Sequence, residues 1–330
     1  DLKAGALAFA TKVLAENRPL KKVSANNEKV EAARGKTEIF DKFRKSIARK
    51  TRGFDAPESC VKTGEAAVNL PFEEGLQVER ELFMELMSGS QSAAQRYVFF
   101  AERQVAKIPD IPKDTPLLDI KKVGIIGAGT MGGGIAMNFV NAGYEVILVE
   151  TQQDFLDRGL AVIKKNYDIT ASKGKMTTAE GDQRLSLITG VISLEALDDV
   201  DLVIEAVYEN MDLKKEIFRK LDGICKAEAI LATNTSYLDV NEIAAQTKRP
   251  ESVIGLHFFS PANVMRLLEI VRGEKTSKPV LATSLAIAKK IKKVPAVVGV
   301  CFGFAGNRMF AQRKREADQL LLEGAPAEQL

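Results

Sequence analysis

The chain has 330 residues, long enough for one large domain with a smaller neighbour or for two or three modest ones. With 47 basic and 44 acidic residues its formal charge is only +3, which removes any global electrostatic case for nucleic acid and any acidic tail. Cys60, Cys225 and Cys301 are far apart and form no CxxC, so they suggest neither a disulfide framework nor a zinc site, and a reducing compartment fits them best.

Residues 1–110 read as helices. The opening DLKAGALAFATKVLAE sets Leu2, Ala6, Leu7, Ala10, Val13 and Leu14 on one stripe, and Pro19 ends the pattern. The basic run KFRKSIARKTR (42–52) reads as a solvated helix face rather than a phosphate patch. Residues 75–107 repeat apolar positions at spacings of three and four, broken near Ser88 and Gly89, which predicts two helices. IPDIPKDTP then places three prolines in nine residues, the composition of a linker. No signal peptide is visible, and both ends read as cut: the chain opens on Asp1 without methionine and stops just after the apolar helical stretch that ends in LLLEG.

Beyond the linker, short apolar β-branched runs alternate with helical segments. Strands are expected at KVGIIG (122–127), EVILV (145–149), DLVIEA (201–206), AILAT (229–233), SVIGLHF (252–258) and AVVGV (296–300). Continuous apolar strands alternating with helices imply a Rossmann-like α/β fold, a mostly parallel sheet with helices on both faces, flanked by α-helical segments. The domains are expected at 1–110 (helices plus linker), 119–300 (the sheet) and 301–330 (the first helix of a further domain). Residues 123–144 carry no charge and reach the length of a membrane span, but six of the eleven residues from 124 to 134 are glycine, so no span is assigned.

KKVGIIGAGTMGGGIA joins the first strand to a helix through Gly127, Gly129, Thr130, Met131 and Gly132. The three glycines of such a turn allow a tight bend, close approach of backbone to a pyrophosphate, and close packing of helix on strand. The second strand ends at Glu150, where a carboxylate accepts hydrogen bonds from the adenosine ribose and repels a 2′-phosphate, which favours NAD over NADP. Ligands of open α/β sheets gather at the carboxyl ends of strands. Three polar groups fall there: Glu209, the Asn234-Thr235-Ser236 corner, and His257, the only histidine in the chain. A lone histidine is more often a satisfied core residue, but an alcohol dehydrogenase needs a base of near-neutral pKa, and Glu269 is the carboxylate that could orient it.

GAGTMGGGIA, EAVYENMDLKKEIF, TNTSYL, GLHFFSPANVMRLLEI and GFAGNR resemble, in order, the motifs of the (3S)-3-hydroxyacyl-CoA dehydrogenases over residues 121–330. Residues upstream resemble the tail of the enoyl-CoA hydratase (crotonase) half and the linker of fused, bifunctional β-oxidation enzymes of peroxisomal and bacterial type. HFFSP in place of the commoner HFFNP supports that subgroup. The resemblance implies NAD-dependent oxidation of a 3-hydroxyacyl-CoA to the 3-oxoacyl-CoA in fatty-acid β-oxidation. In it, His257 is the base, Glu269 its orienting partner, Ser236 and Asn307 donors to the substrate oxygen, and Glu209 and Lys214 neighbours of the nicotinamide ribose. It also implies an acyl-CoA partner, a homodimer or β-oxidation complex for the full-length parent, and a bacterial cytoplasmic or eukaryotic peroxisomal location. The paired hydratase glutamates would lie upstream of Asp1. Each residue has a plainer alternative: a helix cap near Leu238 for Ser236, a helix-start residue for Asn307, a solvated helix lysine for Lys214, a strand-end acid for Glu150. Phe302 departs from the family's usual proline. A cofactor-binding module without turnover, or a scaffold segment presenting Leu320, Leu321 and Leu322, is the rival reading.

Overall fold

The computed structural model describes residues 1–20 and 22–329, which form two compact units, Asp1–Ala101 and Glu102–Leu330. The first unit is helical: α1 (Leu2–Ala15), α2 (Glu28–Ala33), α3 (Thr37–Thr51), α4 (Ala56–Asn69), α5 (Phe72–Ser88) and α6 (Ser90–Gln104), the last crossing the division. The break expected near Ser88 and Gly89 is there: Gly89 ends α5 in an extended conformation and α6 starts at the next residue. Helix α1 forms, but its apolar stripe stays exposed. The basic run lies on α3, whose residues are not buried, and Arg44 ties that helix to Glu58 and Glu65 of α4.

The second unit is an eight-stranded sheet with helices between the strands. In chain order it runs β1 (Lys122–Ile126), α7 (Thr130–Asn141), β2 (Glu145–Val149), α8 (Gln153–Ser172), α9 (Thr178–Leu185), β3 (Ile188–Val191), β4 (Leu202–Glu205), α10 (Met211–Ile224), β5 (Ile230–Thr233), α11 (Val240–Ala244), β6 (Val253–Phe258), β7 (Leu267–Arg272), α12 (Lys278–Lys290), β8 (Val294–Gly299) and α13 (Gly306–Leu322). The sheet order is β3-β2-β1-β4-β5-β6-β7-β8. All pairs from β3 to β6 are parallel, β7 runs antiparallel to β6, and β8 is parallel to β7.

Alternation along the strands separates two cores. On β4, Leu202 and Ile204 join the cluster containing Phe139, Leu148 and Leu285, whereas Val203 joins the cluster containing Phe218, Leu221 and Val253 on the opposite face. Helix starts are set by side-chain acceptors: Asn210 caps α10, Asp239 caps α11, and Thr177 with Glu180 forms a capping box on α9. The proline-rich segment packs along this unit. Ile108 and Ile111 lean on the core, Asp110 pairs with Arg272 at 2.7 Å, and Leu118 N–H donates to the Thr283 hydroxyl. No helix among the described residues is long and apolar enough to cross a membrane.

Three strands depart from the sequence expectation. β3 (ITGV) is a short, partly exposed edge strand, and β7 (LLEIVR) carries Glu269 inside an apolar run. β8 begins two residues earlier than expected and includes Pro295, tolerated because β8 is the sheet's edge.

Candidate active site

The sequence order of the sheet reverses between β1 and β4, so a crevice opens beyond their carboxyl ends. The turn that leaves β1 is built by glycine. Gly127 has φ +101° and its N–H donates to the Val149 carbonyl at 2.8 Å; a Cβ there would sit 2.8 Å from the Ala206 carbonyl oxygen. A Cβ on Gly132 would lie 1.8 Å from the Gly127 oxygen, so α7 can pack this close to the turn only with glycine at that position. Gly129 has open space around it and begins α7 without a side-chain cap, which leaves the N–H groups of Thr130, Met131 and Gly132 with no acceptor four residues back. Uncapped N–H groups at a helix start with room beside them are an anion cradle.

Two cavities meet at this turn, both lined by Gly129 and Glu150. One, about 470 Å³, lies at the β2, β1 and β4 ends, between Thr151, Val207, Tyr208 and Lys220. The other, about 600 Å³, lies between α7, α8 and the loop from Pro261 to Val264. Glu150 Oε2 accepts from Ala128 N–H at 2.9 Å and Oε1 from Thr151 N–H at 2.8 Å, so its charge is fixed over the glycine turn. These features fit a dinucleotide, whose pyrophosphate the first turn of α7 would hold and whose adenosine Glu150 would face.

The histidine and carboxylate expected from the sequence lie on β6 and β7. His257 is penultimate on β6 and faces Glu269 across the antiparallel β6–β7 pair. Nδ1 lies 2.7 Å from Glu269 Oε2, and both side chains are buried. Glu269 Oε1 accepts from Ala305 N–H at 3.0 Å and Gly306 N–H at 2.7 Å, the start of α13. Burial pushes the Glu269 carboxyl up, but the bonds from His257 and those two amides outweigh it and hold the group below its ordinary range. An ionised Glu269 can only accept, so Nδ1 carries a ring proton, and in the neutral ring Nε2 presents its lone pair. Nε2 has no hydrogen bond, and no buried side-chain nitrogen or oxygen among the described residues is without a partner, so Nε2 opens to solvent. The ring packs between Phe259 and Phe304, with centroids 4.5 and 5.6 Å away.

Three strand spacings, ~14 Å, separate the β1 end from the β6 end, about the reach of a dinucleotide's nicotinamide half. The loop after His257 returns to the glycine helix: Asn138 of α7 donates to the Ala262 carbonyl at 2.9 Å. Asn234 Oδ1 accepts from Phe258 N–H at 2.8 Å, which ties the β5 corner to the residue after His257. Ser236 does not cap a helix. Thr235 Oγ1 accepts from Leu238 N–H at 2.9 Å and Asp239 caps α11, so the Ser236 hydroxyl has no partner among the described residues. Asn307 is the second residue of α13 and half-buried; it too makes no side-chain bond and caps nothing.

Glu209 is exposed and accepts from Thr235 Oγ1 at 2.6 Å and from the N–H groups of Ser236 and Tyr237 at 2.8 and 3.2 Å. Burial raises its pKa, and these donors, with the Lys214 ammonium, bring it below the usual carboxylate range. Lys214 is not a solvated helix lysine. Its side chain is 1% exposed, with Nζ 2.7 Å from Glu205 and 3.4 Å from Glu209. Sequence reasoning missed Glu205, although one acid at the end of the wholly apolar run LVIE is itself a signal.

Residues 122–301 match the family model described as 3-hydroxyacyl-CoA dehydrogenase, NAD binding domain. The chain is 41% identical over 330 residues to a peroxisomal bifunctional enzyme of Cavia porcellus and 40% identical over 329 residues to that of Homo sapiens. Each match covers 98% of this chain and 45% of the relative, so the chain spans about half the length of these curated relatives. The crystal structure of an (S)-3-hydroxybutyryl-CoA dehydrogenase from Ralstonia eutropha superposes with a TM-score of 0.63 at 39% identity, over 64% of this chain and 75% of that one. The match spans the glycine turn, Glu150, Glu209 and the His257–Glu269 pair, and the chain belongs to the 3-hydroxyacyl-CoA dehydrogenase family, with NAD as the dinucleotide of its sheet domain.

Proposed function

We propose that the chain carries the catalytic cofactor domain of an enzyme that reversibly oxidises a (3S)-3-hydroxyacyl-CoA to the 3-oxoacyl-CoA in fatty-acid β-oxidation. The observation that carries the reading is a buried His257–Glu269 pair, its Nε2 free of any hydrogen bond, at the strand ends beside the dinucleotide crevice. NAD, when bound, supplies the acceptor for the hydride from C3. Nε2 of His257 takes the proton of the C3 hydroxyl, and the imidazolium that forms is stabilised by the ionised Glu269 carboxylate, itself anchored on the Ala305 and Gly306 amides. The uncommitted Ser236 hydroxyl and Asn307 amide donate to the substrate oxygen as it becomes a carbonyl. Glu150 beside the adenosine ribose disfavours a 2′-phosphate.

His257→Gln in the full-length protein is expected to lower kcat for acetoacetyl-CoA reduction by about 10²–10⁴-fold while NADH affinity stays near wild type. An unchanged kcat removes His257 from the proton transfer. The peroxisomal and glyoxysomal locations in the names of relatives support a peroxisomal enzyme if the source is a eukaryote. Their bifunctional and multifunctional names support a second activity in the whole protein.

A further inference from the structure

We infer that Glu205 is a positioning residue for cofactor binding: through Lys214 it fixes the Glu209 carboxylate and, through Glu209, the corner that carries Ser236. The inference rests on the crevice being the NAD site.

Glu205 ends β4, the strand beside the glycine strand, and is fully buried. Both of its oxygens are committed. Oε1 accepts from Lys214 Nζ at 2.7 Å and from Val207 N–H at 2.8 Å, and Oε2 accepts from the Thr233 hydroxyl at 2.8 Å. Lys214, almost without exposed surface, reaches Glu209 Oε2 at 3.4 Å and is too deep to meet a ligand as it stands. Glu209 is the member that reaches solvent, its side chain 35% exposed. Its Oε1 is taken by Thr235, Ser236 and Tyr237, while Oε2 has only the longer lysine contact and keeps acceptor capacity for a hydroxyl in the crevice. A buried ion pair is a poor stabiliser beside an apolar pair of the same volume, so bulk stability does not account for one at the mouth of the site. What the pair does is specify where Glu209 points, as outer partners orient the groups that touch a ligand.

A double-mutant cycle read by NADH fluorescence in the full-length protein tests this, with kcat and KM for NAD measured alongside. Glu205→Gln and Lys214→Met are each expected to weaken NADH about tenfold, with KM for NAD rising in step and kcat at saturating NAD falling less, through the Ser236 corner. Glu205→Gln/Lys214→Met should bind no more weakly than Lys214→Met alone, because the glutamate acts through the lysine. Wild-type NADH affinity in Glu205→Gln, or losses that multiply in the double variant, overturns the inference. If Glu205→Gln alone fails to fold, the double variant, which removes both charges together, still decides by comparison with Lys214→Met. A wild-type protein that binds no NADH overturns the cofactor assignment itself, and is thereby distinguished from failure of the Glu205 role.

Discussion

Glu269 shows how one carboxylate does two jobs. Its Oε2 holds the imidazole of His257 and its Oε1 closes two amides at the start of α13, so removing its charge disturbs both imidazole and helix. Glu269→Gln keeps the shape but can no longer balance an imidazolium, and its amide can turn a donor toward Nδ1 and reverse the tautomer. Activity should fall by roughly 10²-fold or more with little change in NADH affinity. The same charge links stability to pH. Glu269 has a folded pKa below its unfolded value, so its contribution is present above the unfolded pKa, near 4.3, and is lost as pH falls through the folded value. Urea midpoints of the wild type should therefore drop faster than those of Glu269→Gln as pH is taken below about 4.5. Parallel pH profiles for the two proteins would remove Glu269 from the acid transition.

At the scale of elements, most of what positions the site is in the strand ends, and these were legible because parallel strands buried on both faces write themselves as unbroken apolar runs. β1, β2, β4, β5 and β6 fall where KVGII, EVILV, LVIE, ILAT and VIGLHF predict. β7 was not legible, for a physical reason: a charged residue in the middle of LLEIVR reads as surface, and its burial depends on His257 across the antiparallel pair and on the Ala305 and Gly306 amides. Lys214 was singled out only through the family resemblance, and its burial was not legible. On α10 it looks like one more charge of a solvated face, and the partner that buries it sits nine residues earlier on a strand. Helix capping was only the plainer alternative for Ser236, and the structure gives that turn to Thr235 and Asp239 and leaves the Ser236 hydroxyl without a partner among the described residues. The apolar face of α10 is the other half of this arrangement. Phe218 is fully buried under β4 and β5 beside Leu221 and Leu231, so Phe218→Ala should cost about 3–5 kcal/mol in urea unfolding. A cost under about 1 kcal/mol would mean that α10 is not clamped to the sheet as the structure has it.

On the scale of the molecule, every residue assigned to cofactor or proton transfer lies between Gly127 and Asn307, inside the unit Glu102–Leu330. That unit has its own two cores, one on each face of the sheet, and closes its own leading segment through Glu102 with Arg266 at 2.9 Å and Asp110 with Arg272 at 2.7 Å. Folding and cofactor binding are local to it, because the glycine turn, Glu150 and the Glu205–Lys214–Glu209 chain take all their described contacts from within it. A protein consisting of residues 102–330 should therefore unfold cooperatively and bind NADH within about threefold of the 330-residue chain, a difference under 1 kcal/mol. Cutting instead at residue 120 deletes Asp110 and both leaning isoleucines, Ile108 and Ile111, and should lower the melting temperature by several degrees without changing the NADH affinity, since none of those residues lines the crevice. Loss of NADH binding in the 102–330 protein with its fold intact, checked by circular dichroism, would show that the cofactor site needs residues from the helical unit.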